Sequence, residues 1–539
     1  MKYRFSQPQH RLLKCSRLAP SLALSGFVVL AASAHAESSK KSPPHSSQQQ
    51  GSRGKVLLES RSHQNKKSAL KSGEGPRFAG LENAPPGAPA PVAADVPVEW
   101  KAPEFTAPAG SGAGIARTMK LLATSTPQKR NRVRILFYGQ SITQQEWAKN
   151  LGEELRRRFP HADLEIENRA IGGFASQLLV KAAEQDLYPF YPDLMIFHVY
   201  GSHIEYENLI ANVRKRTTAE IMLATDHSTN PGDLTEETDP AKLSPAQWGQ
   251  WFNYVFLPNT AKQHGTELTD VRGAWKGLLT REKREPQYFL ADGVHLNERG
   301  NALMTAILSP YFRYNAALPI ASEKWVRTYP VKPSDWQNGR LKFDFTGNRV
   351  DVIAQSGQTK LGARVDVLID GKKPSELLGT VHFTRPSIGH STWVPEILKV
   401  GSNSAPVPET WTATVTQVNP DKSFRYSVSG SVTGEDGEGQ SDADFVSRSG
   451  RVKIDKGDWF TGFSKDTITV GFKTTWEARL QSIDSYQTPL TPNAASEYAT
   501  TLAQGFSNAA HTLELVASDG RQPAITAIRV YEPPLRATN

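Results

Sequence analysis

The chain has 539 residues, 38% of them hydrophobic, which is enough for two or more domains with real cores. Its formal charge of +9 is uneven. Five basic residues and no acid lie between Lys2 and Arg17, residues 37–92 hold nine basic against four acidic residues, and the remainder is nearly neutral. The high isoelectric point therefore gives no support to nucleic-acid binding.

In chain order, the first expected element is a leader. Lys2, Arg4, Arg11, Lys14 and Arg17 precede the apolar run "LALSGFVVLAASAHA", which ends in Ala34-His35-Ala36. Small residues at the first and third positions before a cut suit signal peptidase, and the run is short for a membrane span. Residues 1–36 are read as a cleaved export signal, with no transmembrane segment left afterwards and a periplasmic or extracellular destination. The single cysteine, Cys15, lies inside it, so no disulfide is expected in the mature chain. Residues 37–92 are rich in Ser, Gln, Lys, Gly and Pro and read as a disordered linker.

Residues 93–320 alternate between strand and helix patterns. "RVRILFY", "DLEIEN", "DLMIFHVY", "AEIMLAT" and "TELTDVR" read as five strands. After Ser141, Trp147, Leu151 and Leu155 recur every four residues and form the apolar stripe of a helix. Further helices are expected near 174–188, 205–215, 245–264 and 297–311. This alternation predicts a three-layer α/β domain with a parallel sheet, whose function collects at the carboxyl ends of the strands. From 321 to 539 the texture changes to two-residue alternation, as in "RLKFDFTGNRVDVIA", "WTATVTQV", "FRYSVSGSVTG" and "HTLELVASDG". An all-β domain of sandwich or jelly-roll type is expected there.

The chemistry begins at "ILFYGQSIT", where a buried strand runs into Ser141 and a helix follows at once. A serine in that place needs a base, and the base needs an orienting acid. "LADGVHLNERG" supplies both: Asp292 stands three residues before His295, close enough in a loop to reach its Nδ1 and leave Nε2 for the serine. His198, inside a strand, reads as a packed core histidine. "REKRE" at 281–285 reads as a solvated face, and "TGEDGEGQSDADF" as a flexible turn rather than a calcium loop. Trp325, Trp336, Trp393, Trp411, Trp459 and Trp476 are divided between core packing and sugar-stacking platforms.

Taken together, the blocks resemble those of the SGNH, or GDSL, hydrolases. "YGQSIT" is similar to the first block of that family, "NRAIGGFAS" to the second through Asn168 and Gly173, "PDLMIFHVYGSH" is placed like the third, and "DGVHLN" is similar to the last. The resemblance spans 131–311 in the family's order. It implies that Ser141 is the nucleophile, His295 the general base and acid, and Asp292 its orienting carboxylate. It further implies an oxyanion site from the backbone N–H groups of Ser141 and Gly173. Two positions depart from the family: Gln140 stands where Asp is usual, and the third block has His203 and Ile204 where Asn and Asp are usual. An imidazole N–H from His203 could replace the missing amide donor; the alternative is a packing histidine and two donors only. No cofactor or metal is implied. The resemblance implies an exported esterase acting on an acylated, most simply O-acetylated, carbohydrate. Two alternatives remain: an O-acyltransferase with the same triad, and a glycan-binding or envelope protein with a retired site.

Overall fold

A computed structural model describes residues 100–387, 394–461, 468–517 and 519–536. The expected leader and linker, Cys15 and Trp393 lie outside the described residues.

The five expected parallel strands are present as β1 Arg132–Gly139, β2 Asp163–Asn168, β3 Leu194–His198, β4 Glu220–Ala224 and β5 Glu267–Thr269. They form one sheet in the order β2-β1-β3-β4-β5, and the paired strands are parallel. β3 and β4 are buried along their whole length, as expected of strands covered on both faces. The helices are α1 Ala116–Ala123, α2 Ser141–Gln144, α3 Glu146–Arg158, α4 Ser176–Asp186, α5 His203–Arg216, α6 Trp248–Trp251, α7 Leu257–His264, α8 Val271–Glu282 and α9 Glu298–Leu308. The helix expected over 245–264 is α6 and α7 joined by a π turn at Phe252–Phe256. The strand expected through "TELTDVR" stops at Thr269, because Asp270 caps α8 by accepting the Gly273 N–H at 2.9 Å. "REKRE" closes α8 and is largely exposed, as a solvated face should be.

Two apolar clusters lie on either side of this sheet. One gathers Trp147, Leu151 and Leu155 of α3 with Trp275 of α8 and Leu303 and Ile307 of α9. The stripe read from the sequence is therefore the buried face of α3. The other cluster gathers α4, α5 and α7 with Tyr138, Phe174 and Tyr206.

Antiparallel strands follow in two larger sheets. The first orders Ser485–Gln487, Arg364–Ile369, Ala499–Val516, Arg340–Ala354, Ile525–Tyr531 and Val326–Pro330, with Trp336–Gln337 paired to the long Arg340–Ala354 strand. The second orders Val381–Phe383, Lys473–Leu480, Glu409–Val418, Phe424–Gly430 and Gly434–Gln440. Each carries its own apolar cluster. The stretch "TGEDGEGQSDADF", read as a turn, contributes the edge strand Gly434–Gln440. Its acidic side chains serve the backbone locally: Asp436 accepts the Ser449 N–H at 2.8 Å and its hydroxyl at 2.6 Å.

The antiparallel part is packed on the α4–α5 face. Val394 and Leu398 join the cluster beneath α4 and α5. Tyr191 Oη donates to Asn348 Oδ1 at 2.8 Å, Arg385 Nε meets Asp186 Oδ1 at 2.6 Å, and Lys181 Nζ meets Asp458 Oδ1 at 2.6 Å. Phe460 packs edge-on against Phe174, ring centres 4.8 Å apart.

Candidate active site

Ser141 sits where β1 gives way to the single turn α2. Gly139, the last residue of β1, lies so close to β3 that a Cβ there would stand 2.2 Å from the His198 carbonyl oxygen and 2.4 Å from Thr143 Oγ1. Glycine is required for this approach, and Thr143 uses it, donating from Oγ1 to the His198 carbonyl at 2.9 Å. The turn after β1 is thereby tied down beside the end of β3. Gln140, at the position where the resemblance leads one to expect Asp, is 4% exposed and accepts the Thr143 N–H through its carbonyl at 2.9 Å. As the first residue of the turn, Ser141 has a backbone N–H with no preceding helical carbonyl to reach.

The loop after β2 approaches the same place. Asn168 donates from Nδ2 to the Thr143 carbonyl at 2.6 Å, and its Oδ1 accepts the Ala170 N–H at 3.1 Å. The Ile171 N–H donates to the Gly139 carbonyl at 3.0 Å, and a turn closes when the Phe174 N–H meets the Ile171 carbonyl at 3.1 Å. Gly173 occupies the third position of that turn with φ 79°, a conformation that favours glycine.

His295 and Asp292 arrive on the loop before α9. Asp292 Oδ1 accepts two backbone N–H groups, those of Val294 and His295, each at 2.7 Å. Its Oδ2 lies 2.8 Å from His295 Nδ1. These N–H donors, first the backbone of His295 and then its ring, hold the Asp292 carboxyl down at about 2. An ionised carboxylate accepts only, so Nδ1 carries the ring proton and Nε2 presents a lone pair. Nε2 lies 2.9 Å from Ser141 Oγ. The structure thus brings together, in hydrogen-bond contact, Ser141 and a histidine 154 positions later, with Asp292 on the other ring nitrogen. The assembly is open: the His295 and Asp292 side chains are 42% and 57% exposed.

Three residues not singled out by the sequence hold this arrangement. Gln145, immediately after the serine turn, lays its side-chain amide against the backbone of Leu296. Its Oε1 accepts the Leu296 N–H at 3.0 Å and its Nε2 donates to the Leu296 carbonyl at 2.9 Å. Asn301 of α9 accepts the Trp147 N–H at 3.0 Å and donates to the Leu296 carbonyl at 3.3 Å. His227, after β4, is 4% exposed and has Nε2 2.8 Å from the Val294 carbonyl, which makes Nε2 the donor. Burial, with His198 nearby, pushes the His227 ring down to about 4. Asn301 left one trace in the sequence, a polar residue on the buried face of "NALMTAIL". Gln145 and His227 left none, because each bonds to a distant main chain.

His203 begins α5, and its ring packs edge-on against Trp251 at 5.2 Å and Phe256 at 5.7 Å. Gly201 before it has φ 130°, and a Cβ there would stand 2.6 Å from Gln177 Oε1. His198 is buried as expected, 1% exposed. Its Nε2 lies 3.3 Å from Asp226 Oδ1. Trp336, Trp411 and Trp476 are buried in the antiparallel clusters; Trp459 packs against Phe424 and Tyr426, and Trp325 lies under the Arg214 guanidinium. Among the described residues, no helix is long and apolar enough to cross a membrane.

No protein-family model matches the sequence, and no curated protein matches it. Among solved structures the chain is similar to a two-domain esterase active on acetylated mannans, at 14% identity and a TM-score of 0.31, over 78% of this chain and 95% of that one. It is similar to a variant of an acetyl xylan esterase from Geobacillus stearothermophilus at 17% identity and a TM-score of 0.28, over 35% of this chain and 100% of that one. It is also similar to an α/β hydrolase from the metagenome of Lake Arreo, Spain, at 18% identity and a TM-score of 0.28, with the match covering 35% of this chain and 100% of that one.

Proposed function

We propose, from an SGNH/GDSL-type α/β fold as the premise, that this chain is an exported serine esterase that removes O-acetyl groups from a carbohydrate. The observation that carries the reading is the continuous contact Asp292 Oδ2–His295 Nδ1 at 2.8 Å and His295 Nε2–Ser141 Oγ at 2.9 Å.

Ser141 Oγ attacks the ester carbonyl carbon as its proton passes to His295 Nε2. The imidazolium that forms is stabilised by the ionised Asp292. The carbonyl oxygen becomes an oxyanion, received by the backbone N–H groups of Ser141 and Gly173, with His203 as the third candidate donor. One such donor is typically worth about 10²–10³ in rate. The tetrahedral carbon then expels the sugar oxygen, which takes the proton from Nε2 and leaves as a hydroxyl. An acetyl ester remains on Ser141. Water, deprotonated by Nε2, attacks that ester, and acetate departs as the proton returns to Ser141 Oγ. The open setting of His295 suits an ester carried on a bulky polymer better than one that must be swallowed whole.

Export rests on the basic, apolar and small-residue order of the first 36 residues. The reading is tested by measuring acetate liberated from acetylated xylan and acetylated glucomannan. The expected outcome is release by the native protein and none by Ser141→Ala. An undiminished rate in that variant would remove Ser141 from the mechanism.

A further inference from the structure

Among the described residues Trp248 is the one tryptophan that counts as exposed, at 37%. It opens α6, which two strand registers and a pair of hydrogen bonds connect to the end of the sheet that carries Ser141. In the β1–β3 register Gly139 pairs with His198, so Ser141 and Tyr200 each stand two residues beyond a matched pair. In the β3–β4 register Phe197 pairs with Leu223, so Tyr200 and Asp226 each follow three residues after a matched pair. The Asp226 N–H donates to Asn253 Oδ1 at 2.8 Å, and Asn253 Nδ2 donates to the Gly249 carbonyl at 2.9 Å, tying α6 to the end of β4. The segments that follow β1, β3 and β4 at the carboxyl end of the sheet thus carry Ser141, Tyr200 and the tether of α6, the helix that Trp248 opens.

Both aromatic side chains are presented to solvent, Tyr200 being 43% exposed. Trp248 is also rigidly backed. Its ring stacks on Phe252 at 4.8 Å and 23°, and the buried Phe252 meets Tyr206 of α5 edge-on at 5.6 Å. Beside it Trp251 stacks on Phe256 at 5.5 Å and is met edge-on by His203. A large exposed aromatic held flat by rings beneath it has lost its side-chain entropy before any ligand arrives, which lowers the cost of binding. The apolar C–H face of a pyranose suits such a surface, while its hydroxyls stay in water. The tryptophans of the antiparallel sheets offer no comparable surface, since Trp336, Trp411 and Trp476 are at most 9% exposed.

We propose that Tyr200 and Trp248 form an aromatic shelf on the β3–β4 side of Ser141, on which pyranose units of the acylated glycan lie. This rests on the esterase reading of Ser141 and names the part of the site that selects a sugar polymer over a small ester.

The test compares kcat/KM on acetylated manno- and xylo-oligosaccharides with kcat/KM on p-nitrophenyl acetate, in native protein, Trp248→Ala, Trp248→Phe and Tyr200→Ala. Trp248→Ala is expected to lose at least ten-fold more on the oligosaccharides than on the small ester, with Trp248→Phe recovering part of the difference. Tyr314→Ala, an exposed aromatic outside the site, serves as the control. Equal losses on both substrates, or none on the oligosaccharides, would overturn the shelf. A loss concentrated on long-chain p-nitrophenyl esters would overturn it in favour of an acyl-chain surface. A second arm titrates Ser141→Ala with deacetylated oligosaccharides and follows tryptophan fluorescence. A saturable change that disappears when Trp248→Ala is added supports the shelf even if the native protein hydrolyses no ester, in which case the esterase reading falls alone. No saturable change with either sugar would overturn the shelf while leaving Ser141 to its own test.

Discussion

Two regions of the molecule bring a serine, a histidine and an aspartate together. At the end of the parallel sheet, His295 joins Asp292 and Ser141. In the larger antiparallel sheet, His511 Nδ1 lies 2.7 Å from Asp370 Oδ2, and its Nε2 is 3.5 Å from Ser507 Oγ. The residue types are the same, but the second nitrogen is used differently. His511 Nε2 is 2.9 Å from the Ser507 carbonyl oxygen, which can only accept. A carbonyl oxygen thus occupies the nitrogen that, in His295, faces the serine hydroxyl. The Ser507 hydroxyl is the more distant of the two contacts, at 3.5 Å. The ring is also packed away, its side chain 8% exposed against 42% for His295. Proximity of three residue types is thus a weak criterion; an exposed ring nitrogen whose nearest neighbour is the hydroxyl itself is the stronger one.

The contrast can be broken most sharply at the serines. Ser141→Ala should lower ester hydrolysis by at least about 10³-fold and abolish labelling by a fluorophosphonate, while Ser507→Ala leaves both as in the native protein. Labelling that survives in Ser141→Ala and vanishes in Ser507→Ala would reverse the assignment. Next come the acids. Asp292→Asn should cost on the order of 10³–10⁴ in kcat, since the amide no longer holds the ring in the required tautomer. Asp370→Asn should change thermal stability and leave kcat alone, and equal effects on kcat would erase the distinction.

A smaller effect is expected at Gln145. Removing its paired contacts in Gln145→Ala frees the histidine loop from the serine turn, and kcat should fall about 10- to 100-fold with KM little changed. Gln145→Glu should do no better, because a carboxylate cannot donate to the Leu296 carbonyl. A matching rise in KM would mean a general disturbance instead. The smallest effect is on stability. A free histidine takes up its proton near 6.5, whereas buried His227 holds off to about 4. Between those values the unfolded chain binds a proton that the native one does not, so stability falls as pH is lowered from 6.5 to 4 and its His227 contribution levels off below that. The loss is on the order of 3 kcal/mol. Urea midpoints across this window should decline less steeply in His227→Gln.

What could be read from the sequence follows the range of the interactions. β2 coincides with "DLEIEN", and the Arg340–Ala354 strand with "RLKFDFTGNRVDVIA", because two-residue alternation is a local signal. Asp292 and His295 were legible because their contact closes within three residues, and Ser141 because a strand-to-helix junction is visible locally. Helices α1 and α8 were not expected. α8 was hidden because Asp270, which starts it, reads equally well as part of a strand. The edge strand Gly434–Gln440 escaped because its glycines and acids carry no apolar alternation, and it is made by pairing with Phe424–Gly430. Trp248 escaped for the opposite reason: only burial distinguishes a core ring from a presented one.

The contact between Phe460 and Phe174 has a consequence for any attempt to shorten the protein. Phe174 follows directly after Gly173, and Lys181 and Asp458 join the same two segments. Excising the antiparallel half would strip one wall from the turn that holds Gly173 and leave greasy surface on α4 open to self-association. The tail is a splint for the parallel-sheet half rather than cargo attached to it.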